Sequence, residues 1–302
     1  MRDAIELLGI RLLRGLSRTL PAPMALACGR FLGRLAFAVG VRRNVCLENL
    51  ERALGPVHDA PSRRRLARRT YEHVGMLAME FLRHPVLSLE ARRGQVDFGG
   101  IDHMRRATQE RGAILATAHL GNWEILAAGA VAHELPLTVV VQRLRNRRVD
   151  ALLWRSREEL GLRNIERGMG LRRLQGELEA RRLVALLCDQ DAKRRGLFVP
   201  FFGVPASTPT GAAQLALRLG VPFIPCFGKR LPDGRHAVCV HPPVAVPPGL
   251  DEGAAVRFLM ERFHALLEAA IRAEPSQYFW LHRRWKTRPR VDSSDPPARG
   301  PA

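Results

Sequence analysis

The sequence predicts an α/β protein: a central mixed, largely parallel sheet flanked by helices, with a helical segment ahead of it. From about residue 95 onward, short apolar runs alternate with stretches of helical spacing, the pattern of strands joined by crossover helices. Before that point the apolar residues keep helical spacing only, so the first third reads as helix. With 302 residues the chain is long enough for one large α/β domain and a sizeable buried core.

In chain order, residues 1–20 form a helix with Arg11, Arg14 and Arg18 along one face and Ile5, Leu8, Leu12, Leu13 and Leu16 mostly on others. Such a helix fits the headgroup layer of an anionic bilayer, or the flank of its own domain. Residues 22–41, APMALACGRFLGRLAFAVGV, come nearest to a membrane span, but Arg30 and Arg34 interrupt the run, which favours lying on the surface over crossing. The scattered charges of the first 21 residues do not have the shape of a signal peptide. Further helices are expected at 43–54 and 61–82. Strands at 113–117, 137–142, 183–188, 222–227 and 236–240 then alternate with helices at 122–133, 147–160, 170–181, 209–219 and 253–273. Thr208 followed by Pro209 reads as an N-cap and first helical position. Residues 1–42 are thus membrane-associating helices and 43–289 the main domain, while 290–302, RVDSSDPPARGPA, form a disordered tail.

The chain carries 48 basic and 29 acidic residues for a formal charge of +19, a field that attracts anionic partners such as phosphorylated substrates, nucleic acid, acidic proteins or anionic lipid. Only Lys193, Lys229 and Lys286 are lysines, a skew that fits coding bias as well as arginine chemistry. Cys28, Cys46, Cys188, Cys226 and Cys239 are odd in number and widely spaced with no C-x-x-C pair. Reduced thiols are therefore expected, and neither a disulfide framework nor a zinc site.

Three constellations carry chemistry. In ATAHLGNWEILAAG, residues 116–129, the strand AILAT delivers His119 to the carboxyl edge of a sheet, where ligands bind in α/β folds. Glu124 lies in the first turn of the following helix, which Asn122 caps. A carboxylate on one ring nitrogen fixes the tautomer and leaves the other as a proton acceptor, a general base. The N–H groups of Gly121 and Asn122 are candidate oxyanion donors. Spacing alone leaves open that His119 is a satisfied turn residue and Glu124 a complement to the helix dipole. Second, CDQDAKRRG brings Asp189, Asp191, Lys193, Arg194 and Arg195 to the same edge, where the arginines can grip phosphate and the carboxylates orient them; Arg143 is a further candidate for anion contact. Third, QYFWLHRRWKTRP mixes aromatic and basic side chains as nucleic-acid stacking platforms and membrane-interface belts do. Trp280 and Trp285 taken alone fit core positions better.

Four blocks in order, RRNVCLENL (42–50), HLGNWE (119–124), the stretch from Asp189 to Pro225 and QYFWLHRRWKTRP (277–289), resemble the lysophospholipid acyltransferase superfamily, in the branch of the bacterial lipid A late acyltransferases (lauroyl and myristoyl transferases). The resemblance implies a glycerol-phosphate acyltransferase-like fold and an O-acyltransferase with His119 as base and Glu124 as its acidic partner. The donor it implies is a thioester of acyl carrier protein or acyl coenzyme A, used as co-substrate with no cofactor and no metal. The acceptor is the hydroxyl of a lipid A precursor or another membrane lipid, such as a phosphatidylinositol mannoside or lysophospholipid. It places the protein on the cytoplasmic face of the bacterial inner membrane, peripheral or single-pass. No G-x-S-x-G elbow is present, in keeping with a base that activates the acceptor's own hydroxyl.

Two other classes compete. A nucleic-acid-binding protein would explain the charge and the aromatic-basic segment, but no reading motif accompanies them. A metal-dependent hydrolase built on His119, Glu124 and Asp189 lacks the H-E-x-x-H spacing and a second nearby histidine.

Overall fold

A strand that is apolar on both faces has to be covered on both, and three strands of this chain, AILAT, LTVVV and LVALL, have that composition. The computed structural model describes residues 2–289, so the expected disordered tail at 290–302 lies outside the described residues. The chain begins with helices α1 (Arg2–Thr19), α2 (Ala22–Ala38), α3 (Arg43–Leu54), α4 (Ala60–Arg83) and the short α5 (Leu89–Gly94). Then follow β1 (Val96–Gly99), α6 (Ile101–Glu110), β2 (Ala113–Thr117), α7 (Trp123–Ala132), β3 (Leu137–Val141), α8 (Arg147–Glu159), β4 (Arg163–Glu166), α9 (Leu171–Glu179) and β5 (Leu183–Leu187). A hairpin of β6 (Leu197–Phe201) and β7 (Val204–Thr208) precedes α10 (Gly211–Leu219), β8 (Phe223–Arg230), β9 (His236–Val240) and α11 (Glu252–Ala273).

Seven strands form one sheet in the order β1-β9-β8-β2-β5-β3-β4. Strands β8, β2, β5, β3 and β4 run parallel, β9 is antiparallel to β8, and β1 is parallel to β9. The sheet is therefore mixed and largely parallel. Strands β2 and β5 pair from Ala113↔Leu183 to Thr117↔Leu187, so their carboxyl ends finish side by side.

The N-terminal helices are packed onto this body. Helices α2 and α4 cross at glycines: a Cβ added at Gly29 would stand 2.6 Å from the Gly75 carbonyl oxygen, and one at Gly33 2.1 Å from that of Tyr71. Only glycine permits such backbone contact. Arg34 pairs with Glu72 at 2.7 Å. Helix α1 is turned the opposite way from a water-facing helix. Its Arg14 and Arg18 face the body, within 3.6 and 3.7 Å of Glu159 on α8. Ile5, Leu8 and Leu12 lie outward, 63%, 58% and 64% exposed. Met24, Phe31, Leu35 and Val39 are likewise exposed apolar residues along and just past α2. Among the described residues no single helix is long and apolar enough to cross a membrane. The bent pair α2 and α3, at 91°, passes that test by length and composition only.

Candidate active site

The β2–β5 register places the site. Each residue of β2 lies beside the residue 70 positions later, and the same offset carried two positions past the strand ends joins His119 to Asp189. Asp189 Oδ1 lies 2.8 Å from His119 Nδ1, and its Oδ2 accepts the His119 backbone N–H at 3.1 Å. The carboxyl is 2% exposed and the imidazole 15%. Burial alone would raise the Asp189 carboxyl, but the neighbouring imidazole, its two hydrogen bonds and the positive Arg284 hold it below the ordinary carboxylate range. An ionised carboxylate accepts only, so Nδ1 carries the ring proton and the Nε2 lone pair is left as acceptor.

This corrects the expected pairing of His119 with Glu124. Both side chains line the same cavity, but the Glu124 carboxylate receives two hydrogen bonds from Arg157 on α8, at 2.6 and 2.9 Å. A buried guanidinium needs a carboxylate, and the forked geometry outcompetes a single bond back to the imidazole. Asp189, expected to contact substrate, is instead enclosed behind the imidazole it orients.

The loop between β2 and α7 is held from three sides. The Gly121 N–H donates to the Gln277 carbonyl at 3.1 Å and Phe279 N–H to the His119 carbonyl at 3.0 Å, so the C-terminal block clamps the loop by its backbone. Gly121 is therefore not a free oxyanion donor, a second correction. Its φ is +63°, and a Cβ there would fall 2.4 Å from the Gly228 carbonyl oxygen. His73 bonds the Gly121 carbonyl from α4. Asn122 caps α7 as expected, with Oδ1 accepting from Ile125 N–H, while its Nδ2 donates to Glu80 at 2.6 Å. Its side chain is structural. Glu80 also pairs with Arg230 and His236. Burial would raise this carboxyl, but the hydrogen bonds from His236 and Arg230 and the positive guanidinium take it down to about 2.

The C-terminal block is fixed in turn by Asn49 on α3, whose Nδ2 donates to the Trp280 and His282 carbonyls at 2.7 and 2.5 Å. All four blocks of the sequence thus meet around His119. Trp280 and Trp285 are 1% and 4% exposed, core residues that offer no stacking platform. Arg284, 2% exposed, donates to the Ser207 carbonyl, Thr208 Oγ1 and His264 Nε2. Thr208 ends β7 rather than capping α10, because its hydroxyl serves this arginine; the N-cap position falls on Thr210.

His119 opens onto a cavity of about 2740 Å³ with two characters. Between α7 and the sheet it is apolar, walled by Leu115, Leu126, Ala127, Leu137, Cys226 and Val238. At the mouth it is basic, with Arg42, Arg43, Arg194, Arg195, Lys286 and Arg288. Arg194 and Arg195 are exposed and, among the described residues, pair with no carboxylate. Asp191 accepts from Thr287 Oγ1 at 3.0 Å and braces the mouth. Arg143, expected to contact an anion, is bound to Asp150 and Glu166 at 2.9 and 3.1 Å and stacks over Trp154. It is committed internally.

The sequence matches the family model described as bacterial lipid A biosynthesis acyltransferase over residues 1–287. The chain belongs to that family. Among curated relatives it is 31% identical to the lipid A biosynthesis lauroyltransferase of Escherichia coli K12, over 89% of this chain and 88% of that one. It is 30% identical to the phosphatidylinositol mannoside acyltransferase of Mycobacterium tuberculosis H37Rv, over 79% and 75%. With the E. coli lipid A biosynthesis palmitoleoyltransferase it shares 28%, over 91% and 89%. The protein is accordingly an acyltransferase.

Proposed function

We propose that this acyltransferase moves a fatty acyl chain from the thioester of an acyl carrier protein or acyl coenzyme A to a hydroxyl of a lipid A precursor or related phosphorylated glycolipid. One observation carries the reading: His119, backed through Nδ1 by buried Asp189, stands where a greasy slot meets a basic mouth. The hydroxyl gives its proton to Nε2 as its oxygen attacks the thioester carbonyl carbon. Collapse of the tetrahedral intermediate breaks the C–S bond, and the imidazolium returns the proton to the departing sulfur. Asp189 stabilises the imidazolium between these steps. A base and a reactive thioester suffice, so the proposed route calls on no metal or bound cofactor.

The apolar slot takes the acyl chain, with each buried methylene contributing about 0.8 kcal/mol, and the mouth arginines take the acceptor's phosphates. The name of the mycobacterial relative keeps a phosphatidylinositol mannoside in play as the acceptor; both acceptors are anionic glycolipids. The outward apolar faces of α1 and α2 are read as seated in the anionic cytoplasmic leaflet of the inner membrane, a peripheral attachment. Leu8→Asp with Leu12→Asp should therefore shift the protein from vesicles containing phosphatidylglycerol to the supernatant in flotation assays.

Mass analysis of membrane glycolipids from a strain lacking the protein tests the reading directly. A single missing acyl chain on one lipid class names the acceptor. An unchanged glycolipid profile, together with no transfer by the purified protein, would count against it.

A further inference from the structure

A base that must receive a hydroxyl proton needs an open lone pair, and at His119 that position is occupied. Nδ1 faces the Asp189 carboxylate at 2.8 Å, so in the neutral ring that acts as a base Nε2 is the acceptor. The side-chain amide of Gln190 stands 3.3 Å from it, and a nitrogen that can only accept must face the NH₂ end of an amide. The acceptor hydroxyl needs the same place, within about 2.6–3.2 Å of the base. Gln190 is half-buried on the cavity wall, one residue beyond Asp189. Two of the loop's own donors are meanwhile taken: His119 N–H by Asp189 and Gly121 N–H by Gln277.

We propose that Gln190 is a catalytic residue of the acyl transfer: its amide covers Nε2 in the free enzyme and, displaced by the acceptor hydroxyl, donates an N–H to the carbonyl oxygen of the thioester. This rests on the acyl-transfer reading above. As the acceptor oxygen bonds to the carbonyl carbon, the π pair moves onto that oxygen and the hydroxyl proton passes to Nε2. The amide N–H holds the oxyanion until the pair returns, the C–S bond breaks and the imidazolium protonates the sulfur. A donor aimed at the oxyanion acts in the transition state rather than on bound substrate.

The test compares the purified wild type with Gln190→Met, Gln190→Glu and His119→Ala, using an acyl carrier protein thioester and a lipid A precursor in detergent micelles. Gln190→Met keeps the side-chain length and removes the donor. Its kcat should fall by about 10²–10³ with the KM for thioester unchanged within threefold and the melting temperature retained. Gln190→Glu places a second carboxylate against the imidazole and should move the acid limb of the kcat/KM profile to higher pH, because the imidazolium is then harder to deprotonate. The other ionisable groups around the ring, Asp189, His282 and the buried Arg284 behind them, stay constant in both variants. A Gln190→Met enzyme with kcat within threefold of wild type, a loss confined to KM, or an unmoved acid limb in Gln190→Glu would overturn the role of Gln190 while leaving the acyl-transfer reading intact, provided His119→Ala is inactive. A wild type that transfers no chain to either a lipid A precursor or a phosphatidylinositol mannoside overturns both.

Discussion

A histidine–carboxylate pair and an arginine–carboxylate pair stand beside the same cavity and differ in what they can do. His119 with Asp189 and Arg157 with Glu124 both sit at hydrogen-bond distance, 2.8 Å and 2.6 Å at their closest. Burial would lower the Arg157 guanidinium, but Glu124 more than offsets this and leaves it above its ordinary value, so that pair never releases a proton. The imidazole ring has a second nitrogen, Nε2, that faces the Gln190 amide rather than a carboxylate. Geometry alone therefore does not make a catalytic dyad; the basic partner must be one that can take up and release a proton. On the proposed reading Asp189 serves the chemistry and Glu124 the packing of α7 on α8.

The sharpest break between the pairs is Asp189→Asn, which keeps the shape but removes the charge that fixes the tautomer and steadies the imidazolium. Its kcat should fall by about 10³–10⁴, measured on protein with an unchanged melting curve. Glu124→Gln should act on stability instead. It strands a buried guanidinium and lowers the unfolding free energy by about 3–5 kcal/mol, read as a shift in denaturant midpoint, with a far smaller loss of kcat per folded molecule than Asp189→Asn. An equal loss of kcat in the two variants would restore Glu124 to the chemistry.

The histidines sealed in the interior sharpen the contrast with His119, which opens to the cavity. Burial, the largest cause in each, pushes His73 and His84 down to about 4 and His264 to about 3. Their folded values lie below the unfolded 6.5, so the unfolded chain binds more protons as pH drops. The stability they contribute is whole above pH 6.5 and is lost as pH falls toward 4, at up to about 1.4 kcal/mol per pH unit for each histidine. Urea titrations at pH 7, 6 and 5 measure that slope; a flat profile would mean these rings are not buried neutral. The smallest effect belongs to the slot. Ala127→Phe, on the cavity-facing side of α7, should shift donor preference to shorter chains, with about fourfold in kcat/KM for each methylene excluded. Thioesters of graded length provide the assay.

Part of the fold follows from local sequence. Strands at 113–117 and 236–240 coincide with the apolar runs that announce them, because interior strands are apolar on nearly every residue. The strands VDFG and RNIE lie at the two edges of the sheet, where partial exposure removes that signal. The hairpin LFVPF and VPAST carries a proline in each strand, and proline reads as loop away from sheet edges. His119, its place at the carboxyl edge and the capping role of Asn122 are legible in the same local way. Part of the charge at the mouth is as well, since the block CDQDAKRRG follows a strand and delivers Arg194 and Arg195 to that edge.

The identity of the carboxylate behind the imidazole was decided by tertiary structure. Glu124 is five residues from His119 and Asp189 seventy, and chain proximity favours the nearer one. The parallel register of β2 on β5 brings the distant carboxyl to the ring, and a buried arginine from α8 draws the near one away. The orientation of α1 was likewise settled by packing: its pattern is amphipathic either way round, and Glu159 on α8 pulls the arginines inward and leaves the leucines outside. Local sequence sets which residues can bond; long-range pairing and the need to neutralise buried charge set which of them do.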